Sequence, residues 1–224
     1  MIRIFIGYDP REAVAYHVLA HSVLARSSMP VQFVPLSLSN LRQVFNRDKH
    51  PLQSTEFSFS RFLVPYLSGY EGWSMFCDCD MLMIDDVARL WALRDDKFAV
   101  QVVKHEHRPK ESIKFLDAPQ SQYEKKNWSS VILFNNSRCR ALTAEYANTA
   151  SGLELHQFKW LGDDALIGGL PARWNHLVDY DPSLPLNEIS FLHYTEGGPY
   201  FAKYRDCGYA DLWRAERDQM NHSG

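Results

Sequence analysis

Asp78 and Asp80 stand one residue apart in an apolar run, Trp73-Ser74-Met75-Phe76-Cys77-Asp78-Cys79-Asp80-Met81-Leu82-Met83-Ile84. In an extended strand successive side chains leave on opposite faces, so the two carboxylates are aimed at one spot while Cys77 and Cys79 face away. Carboxylates that close repel each other and resist burial, and a hard divalent cation with oxygen ligands supplies the missing counter-charge. Mg2+ or Mn2+ held this way keeps positions for phosphate oxygens, which points to a diphosphate as the ligand. A solvated acidic strand end is the alternative; the apolar run ahead of the pair speaks for the metal.

Other residues could serve the same chemistry. His193 ends the short strand Ile189-Ser190-Phe191-Leu192-His193-Tyr194, ahead of Gly197-Gly198, where bare backbone N–H groups can approach oxygens. A second acidic pair, Asp163-Asp164, precedes what reads as an apolar helix. Arg61 is a lone cation in the hydrophobic stretch before the first pair, placed to meet an acid or to reach phosphates. His105 follows the strand 98–103, where acceptor binding and a solvated loop are equally good readings. Asn127-Trp128-Ser129-Ser130 opens another apolar strand, and its small residues beside tryptophan fit either close approach of a ligand or tight packing. His17 and His21 lie one helical turn apart, but without a nearby third ligand they read as packing or surface residues.

The elements that must position these groups form an α/β pattern. Ile2-Arg3-Ile4-Phe5-Ile6 is a strand ended by Gly7-Tyr8. Asp9-Pro10-Arg11-Glu12 then reads as a helix start, with Asp9 as N-cap, Pro10 at the first position and Glu12 completing a capping box. The helix is expected to run to about Arg26 on a face of Val14, Ala15, Val18, Leu19 and Val23, followed by the strand Val31-Gln32-Phe33-Val34-Pro35-Leu36. Strand, helix and strand make a βαβ unit and a parallel sheet. Ligands of such sheets gather at strand carboxyl ends, so Gly7, Tyr8 and Asp9 mark a nucleoside site; an acidic cap with no glycine-rich loop suits base or ribose rather than phosphate. Further along, Ala141 to Ala150 reads as helical, Ala210 to Met220 as a mixed-charge helix, and 109–126 as an acceptor-facing loop or flap.

Composition bounds the function. The chain of 224 residues, 46% hydrophobic, is most economically one domain, residues 1–224. Its net charge of −3 argues against nucleic acid as the main partner. No apolar run is long enough for a membrane span, and no signal-peptide layout opens the chain, so the expectation is a cytoplasmic protein with four reduced cysteines. Six Trp and eleven Tyr suit flat surfaces for rings or sugars.

Several stretches, in order, resemble the family 8 glycosyltransferases of the GT-A fold, the group of glycogenin and the bacterial lipooligosaccharide galactosyltransferases. Arg61-Phe62-Leu63-Val64-Pro65 is similar to the arginine-bearing helix upstream of the acidic motif, and Cys77-Asp78-Cys79-Asp80-Met81-Leu82 to the Asp-x-Asp strand. Asp86-Val87-Ala88-Arg89-Leu90-Trp91 is similar to the short helix after it. Ser129 matches the serine of Asn-Ser-Gly-Val, and Gly162-Asp163-Asp164 the Gly-Asp-Gln helix start. His193-Tyr194 matches the pair whose imidazole is the third metal ligand. The chain departs from the family at Trp128, Ser130 and Asp164, and at Gly197-Gly198-Pro199-Tyr200, where a diphosphate-touching lysine is usual; Lys203 comes later.

The resemblance implies a Rossmann-like, mostly parallel sheet with a small antiparallel addition, and transfer of a hexose from a nucleoside diphosphate sugar, UDP-linked, to a saccharide or other hydroxyl acceptor with retention. Asp78, Asp80 and His193 would hold Mn2+ or Mg2+. Gly7, Tyr8, Asp9, Arg61, Cys79, Ser129, Gly198 and Lys203 would bind the donor, and His105, Asn127 and Trp128 the sugar or acceptor. Asp163 and Asp164 would be catalytic, as nucleophile or as sugar ligands. The rival classes are a nucleotidylyltransferase, which would show a glycine-rich basic N-terminal loop, and a non-catalytic nucleotide-sugar or carbohydrate-binding domain.

Overall fold

The computed structural model describes residues 1–48, 53–105 and 125–222, with the backbone of 113–114 and 118–119. Most of the expected flap at 109–126, and part of the polar stretch around residue 50, lie outside the described residues.

A six-stranded sheet carries the main core. Its strands are β1 (Ile2–Gly7), β2 (Val31–Leu36), β3 (Trp73–Cys77), β5 (Val100–Val103), β8 (Val131–Asn135) and β9 (Ile167–Leu170), in the order β2-β1-β3-β8-β5-β9. Every neighbouring pair is parallel except the two that involve β8. The interior strands β3, β8 and β5 are buried on almost every residue, as strands covered on both faces must be. Their registers, Ile6 beside Cys77, Cys77 beside Val131 and Val102 beside Ile132, bring the carboxyl ends of β1, β3 and β5 and the start of β8 to one edge.

A second sheet stands behind that edge. In it β11 (Phe191–His193) pairs antiparallel with β4 (Met81–Met83) and parallel with β10 (His176–Leu177). A two-residue pair, β6 (Ile113–Lys114) and β7 (Ala118–Pro119), is separate. Alternation splits the second sheet between two cores. Met81, Met83 and Phe191 enter the main cluster, whereas Leu82 and Leu192 join Val18 of α1 (Ala13–Arg26) and Trp213 of α6 (Ala210–Asn221).

The βαβ unit β1-α1-β2 forms as the sequence predicts, but its helix start does not. Pro10–Glu12 is a 3-10 turn capped by Asp9, which accepts from the Arg11 N–H; Glu12 then stands at the N-cap of α1 without a side-chain cap bond. There is no capping box, because the Glu12 carboxyl accepts a hydrogen bond from the distant Tyr200 hydroxyl. Val14 is exposed, and the inward face of α1 is Ala15, Val18, Leu19, Ser22 and Val23.

Two further expectations change. Asp78 and Asp80 do not share a strand, since β3 stops at Cys77 and the acids occupy a bend before β4. Residues 164–166 form a single 3-10 turn, N-capped by Asp163, that runs into β9 rather than opening a helix. The helical stretch near 141–150 is α4 (Ala144–Thr149), capped by Thr143, and α5 (Gly152–His156) follows with a full Ser151/Glu154 capping box. Between these pieces, α2 (Val64–Leu67) and α3 (Val87–Trp91, capped by Asp86) agree with the sequence reading.

Gly7 at the end of β1 has a packing reason. A Cβ there would lie 2.3 Å from the ring of Phe57, itself 1% exposed. Gly7→Ala is therefore expected to destabilise by about 1–3 kcal/mol through overpacking, read as a lower urea midpoint with an unchanged slope.

Candidate metal centre

The bend after β3 turns both acids toward the end of β11. His193 pairs with Met81, and the Tyr194 N–H donates to the Asp80 carbonyl over 2.9 Å, which locks bend and strand together. His193 Nε2 lies 3.4 Å from Asp80 Oδ1 and 4.0 Å from Asp78 Oδ2, and one ligand atom from each residue falls within 4.8 Å of the others. Octahedral bonds of about 2.1 Å place ligand atoms roughly 3 to 4 Å apart, so these separations match a small divalent cation. Asp80 Oδ1 is buried without a hydrogen-bond partner, a vacancy in satisfaction that a cation fills.

Arg61 sits behind the pair. Its guanidinium is 2.9 Å from Asp78 Oδ1 as an ion pair and donates to the Ser129 carbonyl at 2.7 Å, and it lies near the rings of Phe57 and Phe76. Burial raises the Asp78 pKa, Arg61 pulls it back, Asp80 raises it again, and His193 and Ser130 lower it; the carboxyl ends pushed up to about 6.

The imidazole is oriented from the other side by Asn175, a residue the sequence reading missed. Its Nδ2 donates to the Asn127 carbonyl at 3.3 Å, and a carbonyl oxygen can only accept, which fixes the amide. Asn175 Oδ1 therefore faces His193 Nδ1 at 2.9 Å, so Nδ1 donates to the amide oxygen and Nε2 is the ring nitrogen turned toward the acids, free to ligate a cation. No local pattern marks Asn175, since it lies in a short 3-10 turn far from either partner in sequence.

Asn127 and His105 both lie against Asn175. The His105 ring bonds the Asn175 backbone, and burial above all holds its pKa down to about 4 against the pull of Asp181. Trp128 Nε1 donates to the His105 carbonyl at 3.0 Å. Asn127 Nδ2 and His105 Nε2 are buried without partners. Ser129 Oγ meets His156 Nδ1 at 2.8 Å, another contact the sequence did not signal.

The other candidate residues are placed as follows. The Cys79 side chain is fully buried in the main core. Asp9 is buried and committed, pairing with Arg11 and accepting from the Glu56 N–H; burial would raise its pKa, but these bonds bring it below the usual carboxylate value. The Tyr8 ring meets the Tyr16 ring edge-on. Gly198 packs so that a Cβ would fall 2.2 Å from the Tyr200 ring. Lys203 is exposed with its ammonium over the Tyr204 ring. Asp163 is exposed and caps Ala165, while the exposed Asp164 pairs with Lys125 at 2.5 Å and is held below its usual pKa by it.

Glu12 completes the surroundings. It is 3% exposed, and burial first, then the Asp80 and Asp9 charges, push its carboxyl up to about 8.

No protein-family model matches the chain. It is 46% identical over 226 residues to Protein CDI of Arabidopsis thaliana, covering 98% of this chain and 87% of that one. Among solved structures, the bifunctional glycosyltransferase WbbM in its apo form superposes with a TM-score of 0.64 at 14% identity; 96% of this chain is covered, which spans about half, 49%, of WbbM. The galactosyltransferase LgtC, solved with donor and acceptor sugar analogues, gives 0.61 at 14% identity over 100% of this chain and 98% of that one. The glycosyltransferase GlyE of Streptococcus pneumoniae TIGR4 gives 0.62 at 12% identity, over 96% and 60% respectively. The fold, a mostly parallel α/β sheet with a small additional sheet, is that of the GT-A glycosyltransferases.

Two outcomes are expected. Asn175→Ala should weaken Mn2+ binding about 10- to 100-fold, the usual cost of losing a group that orients a ligand, and Asn175→Asp, which still accepts from His193, should lose less; Mn2+ titration followed by electron paramagnetic resonance measures both. The second concerns pH. The folded state holds the Glu12 proton more tightly than the unfolded chain, so this contribution is full below the unfolded value of 4.5 and is lost as pH rises through about 8. The metal-free protein should therefore lose stability between pH 6.5 and 8, and Glu12→Gln should flatten that slope in urea melts.

Proposed function

This chain belongs to the family of the Arabidopsis thaliana Protein CDI, and from that premise we propose that it is a divalent-cation-dependent glycosyltransferase of the family 8 type. It moves a hexose from a nucleoside diphosphate sugar, UDP-linked, to an acceptor hydroxyl with retention at the anomeric carbon. The observation that carries the reading is the convergence of Asp78, Asp80 and His193 at the carboxyl edge of the main sheet. The six stretches in family order support the family 8 assignment, and the four free cysteines support a reducing, cytoplasmic setting. No helix among the described residues is long and apolar enough to cross a membrane.

Asp78, Asp80 and His193 would hold Mn2+ or Mg2+, which when bound would supply Lewis-acid stabilisation of charge on a leaving diphosphate. The chain's own groups do the rest. Arg61 offsets the mutual repulsion of the acids and so keeps Asp78 beside Asp80. Asn175 fixes the imidazole tautomer that leaves Nε2 a ligand. The end of β1, at Gly7 and Tyr8, takes the nucleoside, and the Tyr8 ring offers a flat face for the base. Asp9 serves that end indirectly, by tying the 54–56 loop to β1 through Arg11 and the Glu56 N–H. The unpartnered Asn127 Nδ2 and His105 Nε2, with the Trp128 ring, take sugar or acceptor hydroxyls.

Asp163 and Asp164 bear on how retention is achieved. Both are exposed, and each is already engaged, one in a cap and the other with Lys125. A carboxylate bound to an ammonium is a poor nucleophile and a good hydroxyl acceptor. That supports sugar binding by this pair and attack of the acceptor from the leaving-group face over a covalent double displacement.

A panel of nucleotide sugars assayed for slow hydrolysis with Mn2+ tests the proposal. At least one UDP-sugar should be hydrolysed, EDTA should abolish the activity, and Asp80→Ala should reduce it at least about 100-fold, the scale on which loss of one charge-stabilising group registers. Hydrolysis indifferent to EDTA and to Asp80→Ala would overturn the reading.

A further inference from the structure

Glu12 has no role in the local structure of its own helix, since it stands at the N-cap of α1 without capping any N–H. A buried carboxyl ordinarily requires a cation or a set of hydrogen bonds. The groups that act on Glu12 are Asp80, Asp9, the Cys79 thiol and the Tyr200 hydroxyl, with the guanidinium of the adjoining Arg11 as the cation. Its hydrogen bond reaches 188 residues along the chain, from the Tyr200 hydroxyl, which donates to Oε2 at 2.9 Å.

The segment that Tyr200 ends begins at the candidate ligand His193. Its first residue, Tyr194, is held twice, by its N–H on the Asp80 carbonyl and by its hydroxyl on the Tyr209 carbonyl. Its last residue is held by Glu12 and by ring packing, 5.2 Å from Trp213 and 4.7 Å from Phe201. Between them lies Gly197-Gly198-Pro199. Gly197 has φ +135°, and a Cβ there would fall 2.4 Å from the Tyr204 ring, as one on Gly198 would fall 2.2 Å from the Tyr200 ring. The turn is thus pressed between two tyrosines and pinned at both ends, once to the acid bend itself and once to the carboxyl beside it.

We propose that Glu12 and Tyr200 form a latch that holds the Gly197-Gly198-Pro199 turn against the Asp78–Asp80 bend, with Glu12 acting as a positioning residue for the diphosphate of the donor. The inference rests on the donor-binding reading above and adds to it the device that shapes its phosphate side. Acting through Tyr200, Glu12 fixes the conformation of the backbone that follows the candidate ligand His193, and with it the wall that this turn would present to a diphosphate.

Tyr200→Phe keeps the ring and removes the hydroxyl, Glu12→Gln keeps an acceptor for it, and Glu12→Ala removes both acceptor oxygens. In the metal-free proteins, hydrogen exchange of the 194–201 segment, where Gly197 and Phe201 amides are bonded within the turn, should rise about tenfold in Tyr200→Phe and Glu12→Ala, stay near wild type in Glu12→Gln, and rise no further in the double variant. UDP with Mn2+, titrated calorimetrically, should bind about tenfold more weakly to the same variants and normally to Glu12→Gln. Unchanged exchange in Tyr200→Phe, or additive effects in the double variant, would overturn the latch. Looser exchange with undiminished UDP affinity would overturn the positioning role. A wild-type protein that does not bind UDP with Mn2+ would overturn the donor reading and the positioning role with it, while the exchange result still decides the latch.

Discussion

The balance of charge at one buried bend sets the terms for the rest of the molecule. Asp78 and Asp80 are both largely removed from water, with one ligand atom of each within 4.8 Å of the other, and like charges that close repel by roughly 3 to 4 kcal/mol at the effective dielectric of a protein near its surface. Arg61 offsets the charge of Asp78, and Asp80 Oδ1 is left buried without a hydrogen-bond partner beside His193 Nε2. An arrangement like this is stable only while the surrounding structure prevents the acids from swinging apart, and a divalent cation is the ligand whose charge and size answer it.

That rigidity comes from the bend joining two sheets. Cys77 is fixed in the main sheet between β1 and β8, and Met81 is fixed in the second sheet beside His193. The three residues between them have no freedom to relax. Arg61 is held equally firmly, because its guanidinium also donates to the Ser129 carbonyl at the start of β8. The second sheet is pressed from outside by α1 and α6, which are joined through Glu216, a buried carboxylate that takes His21 Nδ1 at 2.6 Å and Arg26 at 2.7 Å. His21 is thus a packing residue with an acidic partner, and the metal-binding group is supported by two layers of side chains rather than by loops alone.

The α/β architecture was legible because periodicity and turn chemistry carry it: the β1-α1-β2 unit, the apolar strands and the Asp86 cap all follow from patterns a few residues long. The acid pair was legible for the same reason, although the spacing argument placed it in a strand and the structure places it in a bend. Its convergence survives because the bend is bracketed by strands of fixed register. What the sequence concealed are groups defined by distant partners. Asn175 matters for its contacts with His193 and Asn127, and nothing beside it in the chain signals this. The acidic pair at 163–164 was misread for the opposite reason, since Gly-Asp-Asp before apolar residues is a sound helix-start pattern, and one 3-10 turn satisfied it before β9 took over.

Glu12 shows how a local signal and a tertiary one compete for the same atoms. Asp9-Pro10-Arg11-Glu12 meets the requirements of a capping box, but that bond would be exposed and worth about 1 kcal/mol. The alternative places the carboxyl in the interior, bonded to Tyr200, where it joins the start of α1 to the segment after His193. Burial beside Asp80 is tolerable only for a neutral acid, and its pKa of about 8 meets that condition. The same segment is where the chain departs from the resembling family, with Gly197-Gly198-Pro199-Tyr200 in place of a lysine and Lys203 lying exposed over Tyr204. The two departures are consistent with each other. A lysine reaching into this space would favour an ionised Glu12 and pair with it, whereas a glycine turn pinned by a protonated carboxyl leaves polar backbone there without adding charge of either sign. In the donor-binding reading, neutralising the diphosphate then falls to the cation held by Asp78, Asp80 and His193. In that same reading a fixed backbone stands where the resembling family has a charged side chain, and affinity for the nucleotide would depend on how rigidly that turn is held.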